Sequence, residues 1–159
     1  MPLEELAKQI ESDLGESWLP RIYTDRVLKL RTRAYHFEEL KPRARVSIQH
    51  TLLGVELKVG RRRLLCPDLA TARYLSVFAR AGCPDVAVPY DITKISSLAD
   101  ELESSWFRTH LLVDETTRND AAKYRTRLRG LVFATIRAEI SSAGAGSKIP
   151  EFKQTTKQR

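Results

Sequence analysis

No apolar run in this 159-residue chain approaches the roughly 20 residues that a membrane-spanning helix needs. Behind Met1 there is neither a basic flank nor an apolar signal core, because Glu4 and Glu5 follow almost at once. No membrane partner is expected, and the chain reads as a cytoplasmic protein. Cysteine is scarce. Cys66 and Cys83 are the only two, and the helix expected between them, at about 1.5 Å per residue, separates them by roughly 20 Å. A disulfide needs Cα atoms within about 7 Å, so both are expected to stay free. Without a Cys-x-x-Cys pair or a suitably spaced histidine pair they make no zinc site. His36, His50 and His110 show no ligand spacing and read as packed or surface side chains. Phosphate-binding loops, dinucleotide glycine fingerprints and nucleophile elbows are missing as well. There is also no internal repeat.

What is present is positive charge, +7 net, unevenly placed. Lys41, Arg43, Arg45, Lys58, Arg61, Arg62 and Arg63 are opposed within their span only by Glu56. A second group, Arg118, Lys123, Arg125, Arg127 and Arg129, lies towards the C-terminus. Between the two, Asp91, Asp100, Glu101, Glu103, Asp114 and Glu115 make an acidic stretch. Such asymmetry points to a side that meets a polyanion, and nucleic acid, DNA in the first place, is the expected partner. Arg118, Arg125 and Arg129 recur at spacings of seven and four, which puts them on one face of a helix.

The elements alternate in type. Leu3, Leu6, Ile10 and Leu14 predict a helix over 3–14 that stops at Gly15. Residues 27–37 predict a strand with Lys29, Arg31, Arg33 and Tyr35 on one face. Alternation over 46–50 and 55–59 predicts two more strands, with Arg45, Ser47 and Gln49 on a polar face. The arginine triplet 61–63 reads as a basic turn or short extension. Asp68 predicts the N-cap of a helix carrying Leu69, Ala72, Leu75, Phe78 and Ala79 inward, stopped by Gly82. A short strand follows over 86–90. Asp91 predicts the cap of a helix using Ile95, Leu98, Ala99, Leu102 and Trp106. A last helix over about 119–141 is expected to bury Ala121, Tyr124, Leu128, Leu131 and Thr135 or Ile136. One α+β domain over 1–141 and a flexible basic tail over 142–159 are expected.

Glu56-Leu57-Lys58-Val59-Gly60-Arg61, then Leu64, a helix ending at Ala81-Gly82 and the strand Val86-Ala87-Val88 together resemble the restriction-endonuclease-like core of the PD-(D/E)xK nucleases. The likeness is to their virus-type replication-repair domains. It covers roughly residues 40–95 by motif and 3–90 by element order: helix, three strands, helix, strand, here with two additional C-terminal helices. The resemblance implies an antiparallel meander of the first three strands and a Mg2+ or Mn2+ ion held in part by Glu56. It also implies that Lys58 steadies a hydroxide or the developing phosphate charge. In such sites an Asp on the second strand joins the Glu of the third. Between Leu40 and Val55 this chain has no acidic residue, and the nearest substitutes are Glu38, Glu39 or Glu11.

Arg45, Arg61, Arg62, Arg63, Arg125 and Arg129 are the expected phosphate contacts, giving salt-sensitive and sequence-tolerant affinity. The expected function is a nucleic-acid-binding protein with a nuclease-like core, acting as a metal-dependent endonuclease or carrying an altered or decayed site. The competing expectation is a non-enzymatic domain that binds a protein partner or forms a homodimer.

Overall fold

A computed structural model describes residues 2–41 and 43–146. Helix α1 (Leu3–Leu14) buries Ile10 and Leu14 and ends at Gly15, whose φ of 56° no other residue adopts cheaply. The next segment departs from the sequence reading. Residues 19–27 are helical, with α2 (Leu19–Ile22) running into a π turn over Tyr23–Val27. Pro20 sits in the first turn, where its missing N–H leaves no bond unmade. Trp18, Leu19, Ile22, Tyr23 and Val27 form one stripe in the core. Burying that stripe outweighs the β-propensity of Val27 and its neighbours, and the strand expected from Val27 shrinks to β1 (Thr32–His36).

Strands β2 (Val46–Thr51), β3 (Gly54–Val59) and β4 (Arg62–Cys66) form a three-stranded antiparallel meander. The expected meander of β1 with β2 and β3 is thus replaced. The arginine triplet is not just a turn: Arg62 and Arg63 begin a strand in which Leu64 and Cys66 alternate into the core. β1 instead pairs antiparallel with β5 (Asp85–Pro89), Ala34 opposite Ala87. Four strands therefore precede the central helix, and the class is α+β with two small sheets.

Helix α3 (Leu69–Ala81) joins them. The Thr71 N–H donates to the Asp68 carboxylate at 2.7 Å, and Gly82 at φ 83° closes the C-terminus, as the sequence indicates. Ala72, Leu75, Phe78 and Ala79 are buried, whereas Leu69 turns outward. α3 packs on the meander and on α4.

Among the described residues strand β5 has only β1 beside it, and the N–H and C=O of Ala87 point away from that partner. Two tyrosines meet them: Tyr23 Oη accepts from the Ala87 N–H at 2.9 Å, and Tyr74 Oη donates to its carbonyl at 2.5 Å. An unpaired buried backbone group costs about 1–3 kcal/mol, so these hydroxyls let a two-stranded sheet stand inside a core.

Helix α4 (Ile92–Thr116) begins at Asp91, which accepts from the Thr93 N–H at 3.1 Å. Four of its five acidic residues form ion pairs within the fold. Glu101 pairs with Arg26, Asp100 and Glu103 with Arg73 at 2.5 and 2.7 Å, and Asp114 with Arg129 at 3.3 Å. Ile95, Leu98, Ala99 and Leu102 are buried, and Trp106 is half-buried against the rings of His110 and Phe133. Helix α5 (Ala122–Ala143) buries Leu128 and Ile136 as expected, with Val132, Phe133 and Ile140. Ala121 precedes it and is exposed. The fold extends past residue 141, because the Gly144 carbonyl accepts from Tyr23 Oη at 2.6 Å. Residues 147–159 of the expected tail lie outside the described residues.

Candidate nucleic-acid interface

Alternation on β3 sends Leu57 and Val59 into the core and leaves Glu56 and Lys58 on the outer face of the meander. The register completes that face. Ser47, Lys58 and Arg63 form one cross-strand row, and Gln49, Glu56 and Leu65 the next. Arg45, two residues before Ser47, is exposed, and its carbonyl accepts from the Gly60 N–H at 2.8 Å. Arg61 stands in the β3–β4 turn beside it. The face therefore grades from cationic at the Arg45–Arg61 end to polar at Gln49 and Glu56.

Lys58 and Arg63 face each other directly across the ladder, an arrangement that costs stability when nothing negative lies between them. The offset comes from the diagonal: Arg63 Nη1 donates to Glu56 Oε1 at 3.2 Å. With Arg63 well exposed, that pair is worth under about 1 kcal/mol. Lys58, Arg45 and Arg61 make no ion pair among the described residues.

Not every expected contact joins this face. Arg62 has the opposite parity and binds Glu38 and Glu39 at 3.0 and 3.1 Å, neighbours that raise its pKa further. Arg125 and Arg129 sit with Arg118 in an open cleft of about 430 Å³ between α4 and α5, lined also by Leu111, Asp114 and Glu115. Arg129 pairs there with Asp114, and Arg125 donates to the Thr117 carbonyl at 3.4 Å. That cleft shares no residue with the meander face. Arg31, just before β1, and Arg33 on it both lie over the Tyr90 ring, at 5.1 and 5.4 Å, while Tyr35 is buried.

A divalent cation fits the outer face poorly. Mg2+ and Mn2+ take hard oxygen donors in octahedral geometry, and Glu56, already bound to Arg63, is the one carboxylate on the face among the described residues. The substitutes lie elsewhere: Glu38 and Glu39 hold Arg62, and Glu11 sits on α1 near Glu139, with burial and that neighbour raising its pKa. Among the described residues no three His, Cys, Asp or Glu side chains come together as a metal site. His36 pairs with Asp85 at 2.7 Å, and burial followed by Arg129 lowers the pKa of His110. Cys66 and Cys83 are free and buried, and burial pushes both thiols up to about 12.

One feature of the face has no counterpart in the sequence reading. The β2–β3 turn consists of Leu52 and Leu53, with relative exposures of 105% and 82%. Thr51 Oγ1 holds it, donating to the Gly54 carbonyl at 3.0 Å and accepting from the Leu53 N–H at 3.1 Å. Leu65, 41% exposed, borders Gly54 at the end of its row. The signal was available: two leucines stand where a two-residue hairpin turn calls for Asn, Asp or Gly.

Comparison with family models, curated proteins and solved structures found no match for the chain.

Proposed function

We propose that this protein binds nucleic acid, DNA in the first place, through the outer face of β2, β3 and β4. The observation that carries the reading is the Lys58–Arg63 pair: two cations directly opposed on the outer strand face, Lys58 half-buried and Arg63 exposed, with Arg45 and Arg61 beyond them and, among the described residues, a single carboxylate nearby. A row of phosphates relieves that repulsion and releases counterions as it does so. The resemblance to nuclease cores enters as a binding surface without a cutting centre, because Glu56 is engaged by Arg63 and has no second carboxylate beside it.

The test is fluorescence anisotropy with labelled duplex, single-stranded and branched DNAs at two salt concentrations, in Mg2+, in Mn2+ and in a chelator. The expected result is binding that weakens steeply with salt, is indifferent to the metal and leaves the DNA intact. Metal-dependent cleavage that disappears in Glu56→Gln would restore a catalytic role to that residue. Absence of salt-sensitive binding would sink the proposal.

A second reading, self-association, is favoured by one observation. Phe107 and Leu111, one turn apart on α4, are 68% and 58% exposed. Under that reading the chain is a homodimer by light scattering, and Phe107→Ser with Leu111→Ser makes it a monomer.

A further inference from the structure

The β2–β3 turn places two large apolar side chains at the far end of a cationic ribbon. We propose that Leu52 and Leu53 form a wedge that enters between base pairs of a duplex lying along the meander, so that the protein kinks the DNA it binds. This rests on the nucleic-acid reading above and adds to it a mode of engagement.

Three observations converge. First, the fold does not use these leucines: both project from a two-residue turn into solvent, and Leu65 at the edge of β4 extends their apolar surface. Second, the turn is not one of the favoured two-residue hairpin types, and its residues are large and apolar where turns are ordinarily polar. Neither leucine has the positive φ of the favoured two-residue hairpin turns, and the Thr51 hydroxyl supplies the bonds that hold it. Large apolar side chains held in water without a packing gain are where an interaction is to be sought. Third, the distances suit a duplex. At about 3.4 Å per residue, Lys58 lies roughly 17 Å along β3 from Leu53, or about five base-pair steps at 3.4 Å each. Cations on phosphates and apolar side chains between bases are how proteins that kink DNA divide the work.

An anionic lipid surface could also take leucines with cations nearby, but the order along the ribbon disfavours it. A membrane met tip-first lies beyond one screening length, about 8 Å at physiological salt, from Lys58 and Arg63. Glu56, the acid of the face, would be nearer to it than either. A duplex lying lengthwise reaches all of them.

The experiment uses the full chain with a duplex of some 25 base pairs carrying a donor and an acceptor dye at its ends, read by energy transfer beside anisotropy. Wild type is expected to raise the transfer on binding. Leu52→Ser with Leu53→Ser is expected to bind within about threefold of wild type and to leave the transfer at its free-DNA value. Both positions are surface, and far-UV circular dichroism confirms the fold. Binding without a change in transfer, or a change that survives the serine pair, overturns the wedge and leaves the binding reading intact. No DNA binding at all overturns the reading beneath it. Retention on phosphatidylserine vesicles, lost in the serine pair while DNA stays straight, assigns the tip to lipid and overturns the proposal.

Discussion

The two turns of the meander lie at opposite ends of β3 and are made by opposite rules. The β3–β4 turn is Gly60–Arg61, with glycine at the first position and a φ of 61°, the residue and backbone that tight hairpins call for. It is polar, exposed and locally self-sufficient. The β2–β3 turn is Leu52–Leu53, with no glycine in the loop, two leucines in water and a threonine hydroxyl in place of favourable backbone geometry. Gly54 follows it at φ 130°. Both turns join strands of nearly equal length in one sheet. Register therefore does not demand the difference: the proposed wedge gives the leucine turn a use that closing the hairpin does not.

Charge reversal on the face between the turns gives the largest expected effect. Lys58→Glu with Arg63→Glu lowers duplex affinity at low salt by at least roughly tenfold, measured by anisotropy, with the thermal midpoint little changed. Next comes the regular turn. Gly60→Val forces a β-branched residue to a positive φ and costs about 1–2 kcal/mol, read from urea unfolding; an unchanged midpoint would show that the turn has other ways to close. The irregular turn responds in the opposite direction. Leu52→Asn with Leu53→Gly supplies a type I′ pair, removes exposed apolar surface and stabilises by up to about 1 kcal/mol, while DNA bending is lost. Bending retained without the two leucines would contradict the wedge whatever the change in stability. The smallest change is Glu56→Gln, which frees Arg63 and tightens DNA binding a few-fold while moving stability by under about 1 kcal/mol. Weaker binding in this variant contradicts the view of Glu56 as a mere counter-charge.

Where side chains and local chemistry agree, the fold was legible from sequence. The first helix and its glycine stop, the Asp68 and Asp91 caps, Gly82, and the strands at 46–51, 54–59 and 85–89 are local events, fixed by periodicity and capping. What escaped was decided by tertiary burial. Leu19 to Val27 became helical because one stripe fills the core, and Arg62–Cys66 became a strand because Leu64 and Cys66 needed the interior. The partner of β1 could not be read at all, since nothing local in 32–36 points to 85–89 fifty residues away. Of the site, Glu56 and Lys58 on one strand and Arg45 on the strand before it were readable from alternation, whereas Arg63 joins their face only through the β3–β4 register and Arg61 stands in the turn. Arg62 was misplaced with its neighbours because a turn has no parity and a strand does. Arg125 and Arg129 were recognised as sharing a helix face, but sequence could not place that face in a separate cleft. The leucine turn was visible in the letters and passed over as a connection.

The most direct test of the account is the salt dependence of duplex binding, compared between wild type and Lys58→Ala with Arg63→Ala. Each phosphate contact contributes about 0.9 to the slope of log K against log salt. The predicted result is a slope shallower by nearly two in the double variant, with Leu52→Ser and Leu53→Ser leaving it at the wild-type value. Equal slopes for wild type and the alanine pair would contradict the assignment of this face to nucleic acid.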